Sequence, residues 1–197
     1  MDDKLEIKVM FWFTVCYITI FTFISLIKRN YEFLFYTFII SILLFIIIKY
    51  YRKVKLTRYI LLGLTILGAL HIFGGNVFFV GTRLYEIWLI PSILRYDNFV
   101  HAFGSFVITF IVYSLLNRNI SDNIHNNNFM LSLLLVSIAM GVGAFNEILE
   151  FMAVVFLGVQ TQVGDYFNNA LDLIFNLLGA VIACFFIIKD AKKNNLN

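Results

Sequence analysis

Apolar runs of about 20 residues recur along this chain, each long enough to cross a bilayer as a helix, and they limit what it can fold into. Six such spans are predicted, at 9–27, 31–49, 59–80, 98–116, 129–150 and 166–188. Composition points the same way. Hydrophobic residues make up 61% of the 197 and charged ones 14%, whereas a soluble domain has about 45–50% and about 25%. An ordinary soluble globule is excluded, and so is disorder, which needs low hydrophobicity and high charge. The expected fold is all-α: one integral membrane domain over residues 1–197, a polytopic bundle of about six transmembrane helices. The lipid bilayer is its expected surrounding.

Net charge is only +3, which argues against nucleic acid as a partner. The basic residues lie in short clusters between the apolar runs. With both termini cytoplasmic, the inner side receives Lys4, Lys8, Lys49, Arg52, Lys53, Lys55, Arg58, Arg118, Lys189, Lys192 and Lys193. The outer side receives Lys28, Arg29, Arg83 and Arg95. The positive-inside rule therefore predicts an N-in, C-in protein of the plasma membrane. The first run follows an acidic segment with no small-residue cleavage site, so it reads as a retained helix. Residues 81–97 mix Tyr85, Trp88, Tyr96, charges and the only proline, Pro91, a mixture that suits a segment lying at the headgroups. Residues 117–128 read as a solvated loop in which His125 has no role. Cys16 and Cys184 show no metal or disulfide spacing and read as small buried hydrophobes.

A charged side chain within a span costs about 2.5–3.5 kcal/mol on insertion scales, so such residues usually face the bundle interior and serve a purpose. Of 12 acidic residues, seven sit where solvent or the interface accounts for them. Asp97, Glu147, Glu150, Asp165 and Asp172 do not, nor do His71 and His101. Asp97 and His101 share one face of the fourth span, with Gly104 on the same stripe. Glu147 and Glu150 share a face of the fifth. In the sixth, Asp165, Asn168, Asn169, Asp172 and Asn176 form one polar stripe about 100° wide. Gly141, Gly143 and Gly179 are expected to let neighbouring helices approach closely. The up-and-down order of the spans places all seven charged or imidazole groups in one half of the membrane, so they read as one site.

The string His71, Gly74, Gly75, then Tyr96-Asp97 with His101 and Gly104, then Glu147 and Glu150, then Gly164-Asp165 through Asp172 and Gly179, resembles the DUF2238 (YjdF-type) family of bacterial and archaeal inner-membrane proteins. Asp172, Asn176 and Gly179 are also similar, more distantly, to VanZ-like proteins. The resemblance covers about residues 71–179 and implies a fold and a polar site, without a reaction. Two positions depart from the family pattern. Asn168 stands where an acid is expected, which removes a candidate ligand of a two-metal site, and Asn98 stands where a basic residue is expected.

Histidine with several carboxylates is a ligand set for a divalent ion such as Mn, Fe or Zn, with oxygen-rich sites tending toward Mn or Mg. His101, Asp97, Glu147, Glu150 and Asp172 are the expected ligands, with His71, Asp165 and Asn168 completing the candidate site. Such an ion would support a hydrolase or transferase acting on a lipid or envelope intermediate. A proton- or cation-coupled transporter is the alternative, because intramembrane acids and histidines also build relays. It would need polar groups continuing into the cytoplasmic half, which is almost purely apolar. A structural protein with a polar core is the third reading. It suits single residues such as Asn76, Asn146, Asn169 or Asn176, which bond readily across helices, but helix association does not need five acids.

Overall fold

The computed structural model describes residues 3–54, 56–117, 119–159 and 166–194. Six long apolar helices make the bundle: α1 (Asp3–Lys28), α2 (Tyr31–Val54), α3 (Arg58–Asn76), α4 (Tyr96–Leu116), α6 (Asn128–Leu157) and α7 (Tyr166–Asn194). A one-turn helix, α5 (Asp122–His125), interrupts what was expected to be plain loop. The predicted all-α membrane bundle is therefore the observed fold.

Local chemistry sets the ends. Thr57 caps α3 by accepting from the Ile60 amide, and Asn127 caps α6 by accepting from Phe129 and Met130, satisfying donors that a helix start leaves open. The fifth span runs past its expected end at 150 and stops at Leu157, where Gly158 takes φ +68, a left-handed cap that glycine adopts without a Cβ clash. The third span ends at Asn76, not 80, because residues 78–95 turn back as two small hairpins. In the first, β1 (Phe78–Phe79) pairs antiparallel with β2 (Thr82–Arg83). Its two-residue turn, Val80-Gly81, has positive φ at both positions, the geometry that matches strand twist in a tight hairpin. The second pairs β3 (Trp88–Ile90) with β4 (Leu94–Arg95) around Pro91, and the Arg95 guanidinium lies over the Trp88 ring at 4.7 Å.

Helices α4, α6 and α7 pack closely on one another, α1 packs on α3 and α2, and α3 joins the two groups through α4. Helix α2 touches α3 and α6 only lightly. Away from the hairpins, Val112, Leu131, Leu135, Cys184 and Ile187 form the main apolar core. Small residues set the closest approaches. A Cβ on Gly179 would run into the Ala102 carbonyl, and one on Gly143 would meet the Asn176 amide. Gly141 does not share this role, since it faces open space. Nor is Cys16 buried; it lies exposed on α1.

These contacts make a paired prediction. Gly179→Ala should destabilise the bundle by about 2 kcal/mol through overpacking, whereas Gly141→Ala should stay within about 0.5 kcal/mol of wild type. Denaturant titration of the detergent-solubilised protein, read by circular dichroism, checks both.

Candidate functional site

The close approach of α4 and α7 brings their polar stripes into hydrogen-bonding range. Asn98, in the first turn of α4, is fully buried. Its Oδ1 accepts from the Arg95 backbone amide, and its Nδ2 donates to Asp172 Oδ1 at 2.9 Å. Asn168, one turn before Asp172, donates to Asp172 Oδ2 at 2.8 Å and to Asp97 Oδ2 at 3.3 Å, and accepts from the Arg95 guanidinium. Asn98 and Asn168 are thus the amides that hold the two aspartates. Asp172 has no exposed surface at all.

His101, one turn below Asp97, stands at the centre. Its Nε2 lies 3.6 Å from Asp97 Oδ1 and 3.9 Å from Asp172 Oδ1. Its Nδ1 lies 3.6 Å from Glu147 Oε1 on α6 and receives the Asn176 amide at 3.4 Å. In the tautomer that accepts this amide at Nδ1, the proton is on Nε2, where the aspartates face it. Glu150 accepts from Asn146 at 2.8 Å. Both carboxylate oxygens of Glu147 are buried without a hydrogen-bond partner, an arrangement that is costly unless something else binds them. Two ligand sets arise, Asp97–His101–Asp172 and His101–Glu147–Glu150, with the ligand atoms of each set within 4.8 Å of one another.

His71 reaches the same cavity wall from α3 but is turned elsewhere. The Tyr85 hydroxyl sits 2.5 Å from its Nδ1, and its ring packs against Phe33 and Tyr36. Gly74 and Gly75 make this possible, because a Cβ on the first would press on Tyr85 and Tyr96, and one on the second would fall within the Phe33 ring. Asp165 lies outside the described residues, as do Gly164, Gln160 and Gln162.

The sequence reading missed part of this end of the bundle. Glu32, assigned to the interface, is buried in the first turn of α2 and pairs with Arg83 at 3.2 Å. The segment 81–97 does more than lie at the headgroups, since its Arg83 and Tyr85 plug the bundle between α2 and α3. A charge complement between Glu32 at the start of the second span and Arg83 in the connection 81–97 was the available signal. Glu32 and Arg83 line both a cavity of about 770 Å³ inside the bundle and a smaller one of about 170 Å³ bounded by Asn30, Gly75, Phe78, Gly81 and Glu86. The ion pair is a wall between them.

Removing Glu32 takes from Arg83 its buried carboxylate and leaves it the more exposed Glu86, 3.5 Å from its Nε. Glu32→Ala should therefore destabilise the protein by about 3 kcal/mol, measured by the same titration. Tyr85 gives a pH dependence. Burial, with the carboxylates of Asp97 and Glu150 adding to it, holds its hydroxyl well above the ordinary tyrosine value, so it remains the donor to His71. A raised folded value gives stability that is complete below the unfolded tyrosine's pKa of about 10 and declines as pH rises beyond it. Tyr85→Phe should lose about 1 kcal/mol at neutral pH and show a shallower decline above about pH 10 than wild type in a stability–pH profile.

The chain matches the family described as predicted membrane protein (DUF2238) over residues 8–193. No curated protein and no solved structure matches it. The family match spans all six helices, including the first two, where the sequence resemblance rested on hydrophobicity alone, and the chain belongs to the DUF2238 family of membrane proteins.

Proposed function

We propose that His101 Nδ1, Glu147 and Glu150 hold a divalent cation, of the Mn, Fe, Zn or Mg kind, and that the protein uses it for hydrolysis or group transfer on a lipid or envelope intermediate. The observation that carries this reading is the pair of buried, unpartnered Glu147 oxygens, one of them 3.6 Å from His101 Nδ1, where a cation would replace the Asn176 amide contact. Three protein ligands with an open position are the usual composition of a catalytic metal site. Asp97 and Asp172 stand behind Nε2 as orienting carboxylates, the arrangement that fixes a ligating imidazole. A bound cation would supply Lewis acidity and lower the pKa of nearby water.

The chain's own groups do the rest. Glu150, His101 and Asp97 face the larger cavity, so a substrate lying there meets all three. In hydrolysis a water oxygen bonds to the acyl or phosphoryl centre, and one water proton passes to the cavity-facing Glu150 carboxylate. The leaving oxygen takes that proton as its bond to the centre breaks. In transfer an acceptor hydroxyl replaces the water. The smaller cavity, across the Glu32–Arg83 pair, is the water entrance in this proposal. Positive-inside bias puts the hairpins and this entrance on the outer face of the plasma membrane, facing the cell envelope, with both termini cytoplasmic. The more distant likeness to VanZ-like proteins belongs to the same proposal.

Neither alternative is as well supported. Beyond Tyr36 the cavity lining on α2 turns to Ile39, Ile40, Leu43, Leu44, Ile47 and Ile48, and α1 and α3 add the hydroxyls of Thr14, Tyr17 and Thr65 there without an acid or histidine to continue a relay. A purely structural polar core would have paired the Glu147 oxygens.

Elemental analysis of the purified full chain should find about one divalent ion (Mn, Fe, Zn or Mg) per chain, retained on dialysis against metal-free buffer and restored by reloading after chelation. Glu147→Ala should abolish it, and Asp172→Asn, acting through His101, should weaken affinity about 10- to 100-fold. Absence of metal even after reloading would sink the proposal.

A further inference from the structure

The larger cavity extends far beyond what a metal site needs. Its lining on α2 runs from Glu32 and Tyr36 through Ile40, Leu44 and Ile47 to Tyr51. At 1.5 Å per residue that stripe is about 28 Å long, close to the roughly 30 Å hydrocarbon thickness of a bilayer. Polar groups are gathered at one end of it, namely Glu32, His71, Arg83, Asp97, His101 and Glu150. The other end closes around Lys8, Tyr51 and Leu56.

Two observations say what fills it. The wall carries exposed apolar side chains on facing helices, Leu43 and Ile48 on α2 and Val142 and Phe145 on α6. The gap between these lightly packed helices therefore opens sideways, toward hydrocarbon and not toward water. Near the polar end, the hydroxyls of Tyr36 and Ser105 line the cavity, are buried, and have no hydrogen-bond partner. A buried hydroxyl without a partner is destabilising by roughly 1–3 kcal/mol by the usual accounting for such groups, and a polar headgroup would satisfy both.

We propose that this cavity binds a single-chain amphiphile that enters between α2 and α6, its hydrocarbon tail lying along the α2 stripe and its anionic, oxygen-rich headgroup reaching Tyr36, Ser105 and the His101 cluster. The assignment of the headgroup rests on the metal reading above, because a cluster of carboxylates attracts an anion only through a bound cation. The tail site stands on the cavity alone. A cavity this long accommodates a chain that passes the bilayer midplane, which ordinary lipids of one leaflet do not do.

The test uses the full chain in nanodiscs and two phosphate-monoester probes with a photoreactive group at the tail end, one with a straight acyl chain and one with a prenyl chain. Peptide mapping should place the crosslinks of at least one probe on the deep-end residues around Lys8, Tyr51 and Leu56. Leu44→Trp, which fills the middle of the cavity, should reduce that labelling at least about tenfold. Phe45→Trp, on the exposed outer face of the same helix turn, should leave it unchanged. Which probe labels the deep end identifies the class of tail. Crosslinks spread evenly over lipid-facing residues such as Phe38 and Phe185, or deep-end labelling that Leu44→Trp does not reduce, would overturn the proposal. Chelation separates the two readings. Deep-end labelling that survives chelation, and is still lost in Leu44→Trp, supports the tail site even in a protein found to hold no metal.

Discussion

The approach of α4 to α7 is the contact on which the rest of this molecule depends. Gly179 lies so close to the Ala102 carbonyl that no side chain fits between them. In hydrocarbon there is no hydrophobic force to press helices together, so packing and interhelical hydrogen bonds must do it. Close backbone approach is what lets short side chains, Asn98 and Asn168, span the gap to Asp172 and Asp97. Those bonds in turn fix the aspartates behind His101. Widening the gap would lengthen every one of these bonds at once, and each acid would be left in a low-dielectric interior with nothing to compensate it.

The six helices were legible in the sequence because a bilayer imposes one length and one composition on every span. The candidate site was legible for a related reason. An acid in the middle of an apolar run is conspicuous, and helical spacing then says which acids share a face. Glu32 escaped because it occupies the first turn of its helix beside Lys28 and Arg29, where a charge at the headgroups is ordinary. Its partner Arg83 is 51 positions away, and no local period connects them. The hairpins escaped for want of length, since strands of two or three residues carry no alternation to read. His71 lines the same cavity as His101, but its contact with Tyr85 could not be read, because Tyr85 lies in that same segment.

Gly141 and Gly143 show the limit of reasoning from residue type. Both are small and lie on one helix two positions apart, so they point to different sides. Only Gly143 faces a neighbour, and it faces the Asn176 amide that holds His101 Nδ1. Smallness permits close approach; the face of the helix decides whether a partner is there to use it.

The polar cluster and the long apolar cavity are two consequences of one arrangement. Helix α2 contributes its first turn to the ion pair with Arg83 and then a continuous apolar stripe, while its packing against α3 and α6 stays light. A helix anchored at one end by a buried ion pair can stand away from the bundle along the rest of its length without losing its position. The space it leaves is apolar where it borders hydrocarbon and polar where it meets the hairpins. Glu32 and Arg83 sit at the boundary between that space and the small cavity on the hairpin side. The same two side chains therefore both hold α2 in place and separate the large apolar cavity from the small one on the hairpin side.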